Sequence, residues 1–170
     1  MADYKKLVPF ILKWEGGFVN NPNDKGGATN KGVTIATFRQ YYGSSKTIDD
    51  LKHITDDQWN HIFKSGYWDK CKADQINNQS VANIIVDWAY MSGVSTAIKT
   101  VQKILGCKVD GIIGPKTIAA INGHRVPKQL FYDIQRARVE FYYNIVAKRP
   151  ANKVFLKGWM NRLNALIWEG

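Results

Sequence analysis

The sequence predicts a mainly α fold, a bundle of helices with one short β-hairpin. Apolar residues recur every three or four positions in several segments, as on the buried face of an amphipathic helix. Recognisable caps bound these segments, while Gly, Asn and Pro, which favour turns, are concentrated between Phe18 and Val33. The 170 residues are enough for one domain with a substantial core or for two small domains.

The first helix is expected from about Tyr4 to Glu15. Pro9 lies inside this segment and should kink the helix or move its start to a later residue. Gly16 and Gly17 follow and predict a left-handed helix stop. The apolar residues at helical spacing are Leu7, Phe10, Ile11 and Trp14.

Later helices are predicted from the same spacing and from their caps. Thr34 should cap a helix that ends at Tyr42, and Thr55 with Gln58 forms a capping box. Pro115 suits the first position of another helix. Further helices are expected at about 80–91, 95–105, 127–147 and 153–166, the last with Phe155, Trp159, Leu163 and Leu166 in the core.

The segment from Trp14 to Thr34 contains two carboxylates in different settings. Glu15 falls in the last turn of a helix, where the helix dipole and partial burial disfavour its ionised form. Asp24 falls in a polar, Asn-rich turn and should stay ionised. Carboxylates in such different environments can divide acid and base roles, as glycosidases require. The alternative is an ordinary solvated helix end followed by an ordinary turn residue.

The longer residue pattern is more specific than either carboxylate. Glu15, Asp24 and Thr29 resemble the catalytic Glu/Asp/Thr set of phage T4-type lysozymes. The string E-G-G-F-V-N-N-P-x-D-x-G-G-x-T-N-x-G-V-T resembles the glycoside hydrolase family 108 muramidases more closely. These are lysozyme-like proteins of phages and bacteria, some described as secretion activators. The resemblance implies an α+β lysozyme-like fold and hydrolysis of the β-1,4 bond between N-acetylmuramic acid and N-acetylglucosamine in peptidoglycan.

The resemblance also implies roles for individual residues. Glu15 is the expected general acid. Asp24 is expected to orient or deprotonate the attacking water or to stabilise oxocarbenium-like charge, and Thr29 to hold the water or Asp24. The spacing from Asp24 to Thr29 is one residue shorter than in T4-type enzymes, so Thr34 is an alternative. Kinship favours inversion at the anomeric carbon, for which the carboxylates lie about 6.5–9.5 Å apart, against about 5–5.5 Å for retention.

Aromatic and polar side chains are candidates for substrate binding. Aromatic rings stack on the C–H faces of sugars, and amides can hydrogen-bond an N-acetyl group. Trp88 is favoured as a core residue, however, and the two asparagines can equally cap turns. Asp87 interrupts an apolar helix and should find a buried structural partner. The substrate-binding candidates are Asn20, Asn30, Thr34, Tyr67, Trp68, Trp88 and Tyr90.

A second resemblance covers the C-terminal half. The residues from Val109 to Thr117 resemble the V-D-G-x-x-G-P-x-T core of peptidoglycan-binding domains, which makes Asp110 and Thr117 candidate wall-binding residues. The alternative is that they only shape a turn and a helix start. We expect a lysozyme-like catalytic domain at 1–93 and a helical peptidoglycan-binding domain at 94–170, packed directly together because no linker-like composition separates them.

The chain is basic, with 24 Lys and Arg against 14 Asp and Glu and a formal net charge of +10. This favours an anionic partner such as nucleic acid, anionic lipid or the bacterial wall. No basic run exceeds two residues, so a nucleic-acid-binding tail is not expected. Charge alone does not separate these partners, and bacterial peptidoglycan is the one that the resemblance implies. Cys71 and Cys107 lack partners at metal-ligand spacing, so we expect free buried thiols, no metal site and no cofactor. A disulfide between them stays open.

The apolar run from Leu7 to Leu12 is too short for a signal peptide, and no segment is long enough to span a membrane. We therefore expect synthesis in the cytoplasm and action on the cell wall after release. The resemblance to phage enzymes implies a holin-like partner that opens the membrane. The alternatives to a muramidase are an inactive wall-binding protein on the same scaffold, a lytic transglycosylase, and a nucleic-acid-binding protein.

Overall fold

The computed structural model describes every residue except Asp24, namely Met1–Asn23 and Lys25–Gly170. The described chain is mostly helical, with one two-stranded antiparallel sheet, so the predicted mainly α class with a short hairpin is confirmed. No helix among the described residues has the length and apolar content needed to cross a membrane. The elements are α1 (Tyr4–Trp14), β1 (Thr29–Asn30), β2 (Val33–Thr34), α2 (Ile35–Tyr42), α3 (Ile48–Lys52), α4 (Asp56–Phe63), α5 (Gln79–Ser92), α6 (Val94–Leu105), α7 (Pro115–Asn122), α8 (Pro127–Lys148) and α9 (Lys153–Ala165).

The described chain forms two compact units. One unit is Lys5–Gly66, which holds most of α1, the hairpin and α2 to α4. The other unit joins Met1–Tyr4 to Tyr67–Gly170 and holds α5 to α9. The predicted division into 1–93 and 94–170 stays a prediction.

Helix α1 begins at Tyr4 and runs through Pro9, so Pro9 does not move the helix start. Leu7 and Ile11 are fully buried one turn apart, and the burial of these apolar side chains stabilises the helix. The expected left-handed stop is wrong, because neither Gly16 nor Gly17 has a positive φ. The helix ends without the conformation that usually requires glycine.

Threonine side chains cap the three helices that follow the hairpin. The predicted Thr34 cap and the predicted capping box of Thr55 with Gln58 are confirmed. Helix α3 is not predicted from the sequence, because five residues are too few for an apolar spacing to show. Its capping box pairs Thr47 with Asp50, a shorter carboxylate than the usual Glu.

The second unit is built around α5, which packs against α6 and α8. Asp87 lies fully buried on α5 and accepts hydrogen bonds from two arginines, as its position in an apolar helix predicts. Arg162 donates from Nη2 to Oδ1 at 2.7 Å, and Arg138 donates from Nη2 to Oδ2 at 3.0 Å. Arg138 also donates to the hydroxyl of Tyr142 at 2.9 Å. This buried ion cluster joins α5, α8 and α9.

The prediction of which α9 residues lie in the core is partly wrong. Leu163 and Leu166 are buried, but Phe155 is 56% exposed. Phe155 lies in the first turn of α9 and stacks on Trp159 at the surface, with ring centroids 6.0 Å apart. Helical spacing alone does not distinguish a buried aromatic residue from one at the edge of the apolar face.

The glycine at 111 provides a test of the loop between α6 and α7. Its φ of +76° favours glycine, and an added Cβ would lie 2.7 Å from Ser95 Oγ. We expect Gly111→Ala to lower the free energy of unfolding by about 2–3 kcal/mol, from left-handed strain and steric overlap together. Gly106→Ala is the matched control, since its φ is +70° but nothing lies within 4 Å of the added atom. In urea unfolding, this control should lose about 1 kcal/mol of the free energy of unfolding, from backbone strain alone. Equal losses in both variants would contradict the steric contribution.

Candidate active site

Glu15 follows α1 directly. Its backbone N–H donates to the carbonyl of Ile11 at 2.9 Å, so it continues the helical hydrogen bonding, and its side chain is half-buried. The next carbonyl, that of Gly16, accepts a hydrogen bond from the backbone N–H of Lys31 at 3.1 Å. This contact holds the end of α1, and with it Glu15, beside the hairpin turn.

The hairpin turn is Lys31–Gly32. Both residues have positive φ, +51° and +80°, as a type I′ turn requires. A lysine in the left-handed region costs about 1–2 kcal/mol. Contacts with α4 offset this strain: the Lys31 carbonyl accepts from Trp59 Nε1 at 3.0 Å, and its ammonium group lies 3.9 Å from Asp56. Strain of this kind is often found at functional sites.

The backbone of Thr29 has partners in two neighbouring segments. It pairs with Thr34 across the hairpin, and it exchanges two backbone hydrogen bonds of 2.8 Å with Val19. Its side chain is half-buried. The Thr34 hydroxyl is committed elsewhere, because it caps α2 by accepting from the backbone N–H of Thr37 at 3.1 Å.

The side chain of Asn30 is used within the fold, which argues against its predicted contact with substrate. Its side chain is only 5% exposed, and its Nδ2 donates to the carbonyls of Leu51 and Lys52, both at 3.0 Å. The amide therefore anchors the hairpin to the end of α3. Asn20 is exposed in the loop before the hairpin. Asp24, the second predicted carboxylate, lies outside the described residues.

Two of the predicted aromatic contacts are buried in the second unit. Trp68 is fully buried, and its Nε1 donates to Asp74 Oδ1 at 2.6 Å. Trp88 is also fully buried and packs edge-on against Phe141, with centroids 5.6 Å apart. Neither ring can stack on a sugar, so these two substrate-binding predictions are wrong. Apolar residue type alone did not separate a core ring from an exposed one.

Tyr67 and Tyr90 remain as half-buried aromatic candidates in this unit. Their rings meet in a T-shaped contact with centroids 4.8 Å apart. Tyr67 lies in the π-helical turn Lys64–Trp68, and Tyr90 lies near the end of α5. A π-helical turn is often found at functional sites.

The predicted wall-binding pair, Asp110 and Thr117, is organised by Gln102. The Gln102 Nε2 group donates to Asp110 Oδ1 at 2.9 Å and lies 3.2 Å from Thr117 Oγ1. Its Oε1 accepts from the backbone N–H groups of Asp110 and Gly111. Thr117 is only 4% exposed, so its side chain serves mainly the fold, and its predicted contact with wall polymer stays a prediction.

Asp110 is exposed, but its carboxylate is also used structurally. The backbone N–H of Ile112 donates to it at 2.9 Å, and this bond, with the one from Gln102, lowers the pKa of Asp110. Both predicted residues therefore position the loop between α6 and α7. Residue type alone does not reveal Gln102 as their shared partner, since a glutamine inside a helix is usually solvated.

The cysteines are free thiols. Cys71 is fully buried, and burial raises the pKa of its thiol to about 12. Cys107 is partly exposed, so the prediction of two buried thiols is correct only for Cys71. No group of three or more His, Cys, Asp or Glu suited to a metal ion occurs within the described part of the chain.

Trp14, next to Glu15, has a feature that the sequence does not reveal. Its indole Nε1 is buried and has no hydrogen-bond partner among the described residues. Its ring packs near Phe10, with centroids 6.3 Å apart. A buried N–H without a partner is costly, so it is a candidate donor to a bound molecule.

Comparison with known proteins identifies two families and a similar solved structure. Residues 8–93 match the family described as Glycosyl hydrolase 108, and residues 96–164 match the family described as Predicted Peptidoglycan domain. The solved structure of SagA from Brucella abortus is similar, with a TM-score of 0.81 and 31% identity over 96% of this chain and 90% of that chain. A search of curated proteins gives no match. The fold is mainly α and lysozyme-like, and the matches support a role in degrading or binding peptidoglycan. The chain belongs to the glycosyl hydrolase 108 family.

Proposed function

We propose that the protein is a muramidase that hydrolyses the β-1,4 bond between N-acetylmuramic acid and N-acetylglucosamine in peptidoglycan, with Glu15 as general acid. The position of Glu15 carries this proposal. Its half-buried carboxyl group follows α1 and is held beside a strained hairpin, within the residues that match Glycosyl hydrolase 108. A carboxylic acid in such a place can protonate the leaving oxygen of a glycosidic bond.

Asp24 and Thr29 complete the proposed catalytic set. Asp24 would activate or orient the attacking water or stabilise positive charge on the sugar, and Thr29 would hold the water or Asp24. We favour Thr29 over Thr34 because the Thr34 hydroxyl already caps α2. For substrate contacts we retain Asn20, Tyr67 and Tyr90, whose side chains are at least partly exposed.

The route to the wall is proposed from kinship with phage enzymes. We propose that the protein is made in the cytoplasm and acts as an endolysin, reaching the wall when a holin-like partner opens the membrane. Expression in Escherichia coli with and without a holin tests this. Lysis should require both proteins, and rapid lysis by the enzyme alone would contradict the need for a partner.

Mass spectrometry of digested peptidoglycan sacculi tests the reaction. A muramidase should release fragments with reducing N-acetylmuramic acid ends. Products with 1,6-anhydro ends would instead identify a lytic transglycosylase, and reducing N-acetylglucosamine ends would identify cleavage of the other glycosidic bond. Protein that sediments with sacculi but releases no fragment would be an inactive wall-binding protein.

Trp14→Phe tests whether the buried indole N–H beside Glu15 serves the reaction. Phenylalanine keeps an aromatic ring for contact with Phe10 but removes the N–H donor together with part of the indole ring system. We expect kcat/KM on sacculi to fall about tenfold, the value of one hydrogen bond of about 1.4 kcal/mol in the transition state. The free energy of unfolding should fall by about 1–2 kcal/mol, from the apolar contacts of the lost ring atoms and not from the donor, which lacks a partner among the described residues. Unchanged kcat/KM would mean that the N–H takes no part in the reaction.

A further inference from the structure

An open pocket of about 680 Å³ lies beside the loop that joins α6 to α7. The side chains that matter for its chemistry are those of Cys107, Lys108, Ile112, Pro115 and Lys116. The whole pocket belongs to the region that matches Predicted Peptidoglycan domain, 96–164. Asp110 and Thr117 also line it, although both are tied to Gln102.

The loop that lines this pocket is preformed. Gln102 is 1% exposed and hydrogen-bonds Asp110, Gly111 and the carbonyl of Ile112, so one buried side chain fixes the loop conformation. The left-handed Gly111 lets the loop pass close to α6, near Ser95. A preformed pocket binds with less loss of conformational entropy than a flexible loop.

The lining suits a particular chemistry. Ile112 is 72% exposed, an unusual position for a large aliphatic side chain, and Pro115 adds a second apolar surface. Lys108 and Lys116 supply two positive charges against the one carboxylate of Asp110. No aromatic ring occurs among the described residues of the lining, so the pocket lacks the surface on which sugar rings usually stack.

We propose that this pocket binds the peptide stem of peptidoglycan and not its glycan strand. The stem is a short peptide with alanine methyl groups and several carboxylates. The methyl groups would contact Ile112 and Pro115, and the carboxylates would pair with the ammonium groups of Lys108 and Lys116. This inference rests on the proposed function only for the identity of the partner, which is the bacterial wall. Asp110 and Thr117 have a positioning role in it.

The rate at which Cys107 is alkylated can report whether the pocket is occupied. It is partly exposed and lines the pocket, whereas Cys71 is fully buried with a thiol pKa of about 12. A maleimide should therefore alkylate Cys107 in the folded protein and leave Cys71 unmodified. The rate is followed by intact-protein mass spectrometry with a synthetic stem tetrapeptide, the same peptide with its carboxylates amidated, or a peptide-free glycan tetrasaccharide.

We expect the stem peptide to slow alkylation in a saturable manner, and the amidated peptide and the glycan to have little effect. Lys108→Gln and Lys116→Gln should each weaken the peptide about three- to fivefold, as expected for exposed charge pairs, and added salt should do the same. Lys103→Gln is the matched control, since Lys103 is exposed on α6 but does not line the pocket.

Protection by the glycan, equal protection by the amidated peptide, or no protection by any probe would each overturn the proposal. The outcome is independent of catalysis. Glu15→Gln protein should show the same protection as wild type, so a failure of the general-acid assignment would leave this test unaffected. Conversely, full hydrolysis of sacculi with no protection of Cys107 would reject the pocket and retain the muramidase.

Discussion

Glu15→Gln is expected to lower the rate of peptidoglycan hydrolysis by about 10²–10⁴-fold, the usual contribution of general acid catalysis. Glutamine has nearly the same size and can still form hydrogen bonds, but it has no proton to give to the leaving oxygen. The rate is measured as clearing of a bacterial cell suspension and, separately, as fragments released from purified sacculi. The second assay excludes loss of clearing through poor access to cells.

Glu140→Gln is the matched control, because Glu140 is exposed on α8, in the other compact unit. This variant should clear cells at the wild-type rate, and the thermal midpoints of both variants should match that of wild type. Clearing by Glu15→Gln as fast as by wild type would reject Glu15 as the general acid. A comparable loss in both variants would point to a general effect of charge on wall association.

Asp87→Asn is expected to lower the free energy of unfolding by about 3–5 kcal/mol, the cost of breaking a buried ion pair from one side. Asp87 and Arg138 are fully buried and Arg162 is 5% exposed, so neither guanidinium group can turn to water once the carboxylate is neutral. Denaturation in urea, followed by tryptophan fluorescence, gives the free energy. A loss below about 1 kcal/mol would mean that the cluster is solvated and behaves like a surface pair.

The control removes all three charges together. A triple variant with Asp87→Leu, Arg138→Met and Arg162→Met leaves no buried charge without a partner, so it should be closer to wild type than Asp87→Asn. A triple variant less stable than the single one would show that the ion cluster itself, and not its disruption, stabilises the fold.

The buried ion cluster of Asp87, Arg138 and Arg162 also connects the two regions of the chain that match different families. Asp87 lies among the residues that match Glycosyl hydrolase 108, while Arg138 and Arg162 lie among those that match Predicted Peptidoglycan domain. A fragment that ends at residue 93 would therefore keep a buried carboxylate without its cations. We expect this fragment to be largely unfolded by circular dichroism, and a stable, active fragment would contradict the expectation.

Much of the fold could be predicted because the helices carry local signals. Thr55 with Gln58, Thr34, and Pro115 all mark helix starts within three or four residues of sequence, and each is found where expected. The partners of Asp87 lie 51 and 75 residues away, so the sequence indicated only that a partner was needed. Long-range pairing of this kind depends on how α8 and α9 pack.

The candidate site was less predictable, because residue type does not fix exposure. From the sequence, Asn30 could hydrogen-bond either a sugar or the backbone. In the structure it donates to two carbonyls at the end of α3, a helix too short to predict. The polar neighbours of Trp68 in the sequence leave both a surface and a core position open, and the acceptor on Asp74 allows its indole to be buried. Tyr67, its direct neighbour, remains half-buried.

The register of the hairpin restricts how this protein can vary. Successive strand residues point to opposite faces, so Asn30 can reach the carbonyls of α3 only while Thr29 points the other way. Inserting or deleting a single residue between the two strands would leave Asn30 in place but shift β2 by one residue, which would exchange the faces of the buried Val33 and of Thr34, whose hydroxyl caps α2. Natural relatives should therefore keep the length of this turn constant.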